Sequence, residues 1–271
     1  MSGRFAAHGL LAVTTTLVAA PFLWMLLLSL MPPDLASRGA VSLAIDPAAA
    51  YANYRSALIE TPLPRFLLNG LIVCAGTLAS QIAVGAPLAF ALARGVFPGR
   101  RLLIALVMLA LLLPREVLSV PLFFLCYQLG ILDSYMGLIL PGLVSPTAVF
   151  LLYQVFRTVP DDLIAAARID GLSSWAIVWR LMVPMSGPTL AAIAILTVVG
   201  RWNDLFWPAI AVTSTDLMPP PLGIIAFRDE EAGTAYGPLM AAALITTAPL
   251  VIAFLLAQKR FIDSFAGARA R

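Results

Sequence analysis

The sequence predicts an all-α membrane protein with six transmembrane helices and a polar helical hairpin outside the bilayer. Three observations carry this. The 271 residues are 61% hydrophobic and 11% charged, against about 45–50% and about 25% in soluble domains, and mean hydropathy is +0.95. Six apolar stretches each offer close to the roughly 20 residues that a helix needs to cross the hydrocarbon core. Between the fourth and the fifth lies the longest run of the second half that lipid would not accept, from Pro160-Asp161-Asp162 to Pro184.

Taken in order, the first span covers residues 9–31. Arg4 precedes it, but the apolar run is too long for the core of a signal peptide and has no small-residue cleavage site, so it reads as a retained anchor. Pro21 inside it predicts a kink that neighbouring helices can accommodate. Residues 32–65 form an extramembrane stretch rich in Pro, Ala and Ser, with Tyr51, Asn53 and Tyr54; it reads either as a connector or as a contact for an external protein. The second span, 66–93, opens with Asn69-Gly70 and is followed by a basic loop carrying Arg94, Arg100 and Arg101. The third, 102–126, contains Pro114-Arg115-Glu116 and Pro121. A turn at Gly130, Asp133, Ser134 and Tyr135 leads to the fourth, 136–156, where Pro141, Gly142, Ser145 and Pro146 predict a bend. The fifth, 188–212, holds Arg201-Trp202-Asn203-Asp204. A loop with Pro219-Pro220-Pro221 and the acidic run Asp229-Glu230-Glu231 precedes the sixth, 236–257. The whole chain, 1–271, reads as a single domain.

The hairpin, residues 157–187, reads as two short helices. Asp161 is placed to cap the first and Asp162 to favour its dipole. Gly171 ends it, as a glycine just past a helix does. Ser173 or Ser174 restarts the chain, Trp175, Val178, Trp179 and Met182 recur at helical spacing, and Pro184 closes the second helix. With a cytoplasmic N-terminus, eleven Arg and Lys fall inside (among them Arg94, Arg157, Arg168, Arg180 and Lys259) and four outside (Arg38, Arg55, Arg65 and Arg228). Basic residues accumulate on the cytoplasmic side, so both termini and the hairpin are expected there.

Several chemistries are excluded. The only lysine, Lys259, stands between Gln258 and Arg260, so there is no phosphate-binding P-loop. One histidine, His8, allows neither a zinc-binding HExxH pair nor a His-based triad. Cys74 and Cys126 each lie inside an apolar span and read as packing residues.

The hairpin sequence resembles the EAA loop of ABC-transporter permeases, Glu-Ala-Ala-x-x-x-Gly followed by a proline about a dozen residues on. It is closest to the carbohydrate-importer permeases of the maltose-system MalG type. Ala166, Ala167, Arg168, Ile169, Asp170, Gly171 and Pro184 stand in register, while Ala165 holds the place of the motif's glutamate. Trp202-Asn203-Asp204-x-x-Trp207-Pro208 is similar to that group's Trp-Asn-Glu/Asp-Phe-x-Trp-Pro segment. The resemblance implies the type I ABC importer permease fold, with 157–187 as a cytoplasmic coupling loop. Its contact with an ATP-binding subunit would be made by Ala165, Ala166, Ala167, Arg168, Asp170 and Gly171. It further implies a second, non-identical permease subunit, two ATP-binding subunits or an ATPase homodimer, and an extracytoplasmic substrate-binding protein. The setting would be the lipid of a bacterial inner membrane. ATP and Mg belong to the partner subunits, with no cofactor, catalytic residue or nucleic acid expected for this chain.

Four charges fall within predicted spans, Arg115, Glu116, Arg201 and Asp204. Each costs roughly 2.5–3.5 kcal/mol on insertion scales, so they should face a cavity or each other. Arg201 and Asp204, three apart, share a helix face. Glu116, Trp202, Asn203 and Asp204 are the candidate substrate pathway, since an aromatic face beside carboxylate and amide groups suits a sugar. Arg115 and Arg201 leave a second substrate open, since guanidinium groups bind phosphate well and glycerol-phosphate importers belong to the same group. A nucleotide-independent secondary transporter, a membrane enzyme using Glu116 and Asp204 as acid and base, and a scaffold subunit are the rival readings.

Overall fold

The structure, a computed structural model, describes residues 2–32, 45–225, 228–229 and 233–267. Arg38, Glu230, Glu231, Arg269 and Arg271 lie outside the described residues, as do the side chains of Arg4, Arg115, Arg228, Asp229, Lys259 and Arg260. In chain order the helices are α1 (Ser2–Ser29), α2 (Pro47–Arg55), α3 (Leu63–Arg94), α4 (Arg100–Leu112), α5 (Ser119–Gln128), α6 (Tyr135–Ile139) and α7 (Pro146–Thr158). They continue as α8 (Asp161–Ile169), α9 (Ser174–Ile177, carried on by the π-turn Val178–Met182 and the helical turn Val183–Met185), α10 (Gly187–Trp202), α11 (Phe206–Ala211), α12 (Pro220–Ile224) and α13 (Tyr236–Gly267). A two-residue antiparallel pairing joins Arg228–Asp229 to Gly233–Thr234. Three stretches are long and apolar enough to cross a bilayer unaided, Ala7–Ser29, Leu63–Arg94 and Tyr236–Leu255, and three bent helix pairs raise the number to six.

Two of the three bends have identifiable causes. Arg100–Leu112 and Glu116–Gln128 meet at 103°. Leu113, just before Pro114, is extended (φ −83°, ψ 125°), as a residue preceding proline tends to be. Tyr135–Gly142 and Pro146–Thr158 meet at 45°, the bend expected of the fourth span. Ser145 restarts the chain there by accepting the Ala148 N–H at 3.3 Å, with Pro146 in the first turn of α7. Ser174–Met185 and Gly187–Trp202 meet at 83°.

Where the sequence reads as one domain over 1–271, the chain divides into two compact units, Met1–Leu67 with Pro220–Gln258, and Leu68–Pro219 with Lys259–Arg271. In the first unit α1 runs through Pro21, and Asp46 caps α2 by accepting the Ala48 N–H at 2.9 Å. Asn53, 3% exposed, donates to the carbonyls of Ser29 (3.0 Å) and Met31 (2.9 Å). The Tyr54 hydroxyl lies 3.2 Å from that of Ser29. Both residues therefore tie α2 to the end of α1, which accounts for them as a connector, while Tyr51 is exposed.

In the second unit the core is built on α7, whose buried Ala148, Val149, Leu152, Tyr153 and Phe156 recur at helical spacing. Ala86, Ala89 and Leu92 of α3 and Ile193 of α10 join them. So do Ile164 of α8 and Ile177, Val178 and Met182, which belong to α9 and the π-turn Val178–Met182 after it. The hairpin is thus held by one apolar face while the other stays free. α4 leaves Leu102, Leu106 and Leu109 exposed, as expected of a lipid- or subunit-facing helix.

Candidate functional site: a polar cavity and an exposed hairpin

A cavity of about 640 Å³ opens in the second unit, lined by residues of α3, α4, the 3₁₀ turn Arg115–Leu118, the α6–α7 break and the α10–α11 junction. Of the four residues predicted for a substrate pathway, Glu116, Asn203 and Asp204 line it. Trp202 does not: it is 2% exposed. The indole at the cavity is that of Trp207, whose Nε1 donates to the Gly137 carbonyl at 2.9 Å.

The reason is a break in the fifth span. α10 ends at Trp202 and α11 begins at Phe206. Asn203 closes α10 by donating from its side chain to the Val199 carbonyl at 2.8 Å. Leu205 is the N-cap of α11, and Asp204 Oδ1, one residue earlier, accepts the Trp207 N–H at 3.2 Å. Its Oδ2 pairs with Arg201 Nη1 at 3.2 Å, the side chains being 11% (Arg201) and 21% (Asp204) exposed. The pairing expected from their spacing is therefore formed, and one carboxylate both ends the break and neutralises the guanidinium.

A polar chain continues from this pair. Arg201 lies so close to Gly142 that any Cβ there would overlap the guanidinium. The Gly142 carbonyl accepts from Gln81 Nε2 at 3.0 Å, and Gln81 Oε1 accepts from the Thr197 hydroxyl at 2.7 Å. Gln81 is 4% and Thr197 8% exposed. The Gln81 amide and the Thr197 hydroxyl thus find partners across α3, the α6–α7 break and α10. Gln81, Gly142, Thr197 and Trp207 were missed in the sequence, although the Asp204-x-x-Trp207-Pro208 spacing is a helix-start signal that would have placed Trp207 on a new helix.

Away from the cavity, Asn69 is fully buried and holds a loop. It donates to the carbonyls of Asp216 (2.8 Å) and Met218 (3.0 Å) and accepts from the Tyr135 hydroxyl at 2.7 Å. Asp133, at φ +52°, accepts through Oδ1 from Thr213 N (3.0 Å) and Ser214 N (2.9 Å). The Ser214 and Thr213 N–H groups hold its carboxyl below the ordinary value.

The hairpin departs from prediction at its first residue. Pro160, not Asp161, is the N-cap of α8, without a side-chain bond. Asp161 instead pairs with Arg94, whose guanidinium also donates to the carbonyls of Phe156 (3.0 Å) and Val159, ending α7. Gly171 has φ +82°, the left-handed conformation for which glycine is suited. Ser173 caps α9, accepting the Ala176 N–H at 3.2 Å. Ala165, Ala166, Arg168, Asp170 and Gly171 are exposed, whereas Ala167 packs on the core. Leu163, Ile169 and Trp175 are exposed beside them.

The family model of the binding-protein-dependent transport system inner membrane component matches residues 81–265. The chain belongs to this family. The permease is 33% identical over 266 residues to the diacetylchitobiose uptake system permease protein NgcG of Streptomyces coelicolor, covering 96% of this chain and 87% of that one. It is 33% identical to the arabinooligosaccharides transport system permease protein AraQ of Halalkalibacterium halodurans (89% and 87% covered). It is 36% identical to the sn-glycerol-3-phosphate transport system permease protein UgpE of Yersinia pestis (75% and 73% covered). Its fold is similar to that of a bacterial ABC transporter involved in import of the acidic polysaccharide alginate, with a TM-score of 0.83 at 19% identity, covering 95% of this chain and 96% of that one. The fold is therefore that of an ABC importer permease, and the chain is a multi-pass membrane permease subunit rather than an enzyme.

Proposed function

We propose that this permease, acting as one domain over 1–271, forms half of the pathway of an ATP-driven importer for an uncharged saccharide. A second, non-identical permease completes the pathway, an extracytoplasmic binding protein delivers the solute, and two ATP-binding subunits dock on the hairpin. The supporting observation for the solute class is the engagement of Arg201. Among the described side chains lining the cavity it alone is cationic, and Asp204 holds it. What remains for a solute is Glu116, Asn203 and the Trp207 edge, acceptors, donors and an aromatic wall that suit hydroxyls and a sugar's CH face. Glycerol phosphate is the second reading, supported by the likeness to UgpE.

Both termini and 157–187 are cytoplasmic in this reading, supported by the distribution of basic residues. Closure of the ATPase pair moves Ala165, Ala166, Arg168, Asp170 and Gly171, and the face packed on α7 carries that movement to the spans. Ala165 offers no carboxylate to the ATPase, so apolar contact through Leu163, Ile169 and Trp175 takes a larger share. The test is ATPase stimulation in the reconstituted complex over neutral oligosaccharides and glycerol 3-phosphate. Neutral sugars should stimulate, and Asn203→Ala should reduce uptake while all subunits still copurify. Stimulation by glycerol 3-phosphate alone would refute the saccharide, and undiminished uptake by Asn203→Ala would remove that residue from the pathway.

A further inference from the structure

A second recess, of about 670 Å³ and sharing no lining residue with the cavity, lies at the junction where α3 gives way to α4 and against the last turns of α7. Its polar lining is Arg100, Arg101, Arg157 and Tyr153, with no carboxylate. Arg100 is half-engaged: Nε and Nη2 donate to the carbonyls of Leu92 (2.8 Å) and Ala93 (3.0 Å), closing the end of α3. Arg157 stacks over the Tyr153 ring at 5.6 Å and its Nη1 reaches the Tyr153 hydroxyl at 3.4 Å. Arg101 and Arg157 are exposed, and neither meets a carboxylate among the described residues. The recess is also lined by Gly99, Arg100, Arg101 and Leu102 at the start of α4, the end of a helix that favours an anion.

The rim is apolar. Val96 is 99% and Leu102 64% exposed, and Phe97 lies beside them. From Leu102 the exposed leucines of α4 continue up a helix that belongs in lipid. Three guanidinium groups gathered at the end of an apolar, lipid-facing helix match a molecule that carries a phosphate on acyl chains. A soluble anion would need the arginines and have no use for the apolar rim.

We infer that this recess binds the phosphodiester headgroup of an anionic phospholipid, with Arg101 and Arg157 contacting the phosphate and Val96, Phe97 and Leu102 lying along the first segment of the acyl chains. Tyr153 aligns Arg157 through its ring and hydroxyl, and Arg100 adds positive charge while fixing the junction. The site is distinct from the solute cavity and does not depend on which solute is carried.

Native mass spectrometry of the purified complex, stripped of lipid and titrated with phosphatidylglycerol or phosphatidylcholine, tests it. A basic residue near an anionic membrane surface is worth about fivefold in affinity, so Arg101→Gln/Arg157→Gln should weaken phosphatidylglycerol binding about twenty-five-fold. Phosphatidylcholine binding should be unchanged, and Arg101→Lys/Arg157→Lys should retain most of the affinity. Soluble glycerol 3-phosphate should not displace the lipid. Unaltered phosphatidylglycerol binding by the double glutamine variant would overturn the proposal. Displacement by glycerol 3-phosphate would mark a site for soluble anions and overturn it equally. Loss of an ATP-binding subunit with lipid binding intact would show a protein contact instead.

Discussion

Replacing Gly142 by alanine should destabilise the permease through a residue 59 positions away in sequence. A Cβ at Gly142 would overlap Arg201 Nη2, stand 2.8 Å from its Cζ and 2.9 Å from Thr77 Cγ2. The end of an arginine usually yields to such contact. This one is 11% exposed and held at 3.2 Å by Asp204, so yielding means leaving the carboxylate. Overpacking of a tight site costs about 1–3 kcal/mol, and a hydrogen bond to a charged partner contributes about 1.5–3 kcal/mol. Because Asp204 is partly solvated, its share falls toward the low end, and about 2–4 kcal/mol is expected in total. The measurement is equilibrium unfolding of the purified chain in mixed micelles, followed by circular dichroism. In an Arg201→Ala background only the Thr77 contact remains, and the cost of Gly142→Ala should fall below about 1.5 kcal/mol, a coupling that a double-mutant cycle reads directly. An equal cost in both backgrounds would refute the argument that Gly142 exists to seat the guanidinium.

Asn69→Ala should release the loop 213–219, since two backbone carbonyls and the Tyr135 hydroxyl lose their partner; about 2–4 kcal/mol is expected, read as faster amide exchange there, and unchanged exchange would count against it. Asp133, with its carboxyl held below the ordinary value by the Ser214 and Thr213 N–H groups, stabilises the fold above its unfolded pKa of about 3.9 and ceases to as pH falls through the lower folded value. Protection of the 213 and 214 amides should therefore drop below about pH 4, and Asp133→Asn should flatten that dependence; persistent protection in acid would sink the assignment. Gly171→Val places a β-branched residue at φ +82°, costing about 1–2 kcal/mol, and should raise the ATP hydrolysed per solute imported; an unchanged ratio would separate the turn from coupling. Arg94→Gln should loosen both the end of α7 and Asp161, seen as proteolysis near residue 160 in the otherwise intact complex.

The membrane class and the six apolar stretches were legible because burial in lipid demands a run of apolar residues whatever the tertiary packing. The hairpin was legible for the complementary reason: Asp161, Asp162, Arg168 and Asp170 cannot sit in lipid, and Gly171 marks a helix end by its own backbone freedom. What sequence could not give was the direction of helices beyond a proline. Pro114 signals a break in the third span, but the 103° turn between Arg100–Leu112 and Glu116–Gln128 is set by packing on both sides. Asp161 shows a related limit. Its position after Pro160 satisfies every local rule for a cap, yet Arg94, distant in sequence, offers a charged partner that a backbone N–H does not match.

The cavity makes the same point in finer detail. On an uninterrupted helix Trp202, Asn203 and Asp204 point in three directions about 100° apart, so the three could not all face one space. The break resolves this at Trp202's expense: Asn203 and Asp204 leave the helix and turn to the cavity, Trp202 stays in the last turn of α10 and is buried, and Trp207 takes the aromatic position from the new helix. The segment's value to a transporter then lies in the break itself. Its Asp204 is at once ion-pair partner to the helix before and hydrogen-bond acceptor for the helix after, so a displacement of α10 relative to α11 must strain one of those two bonds.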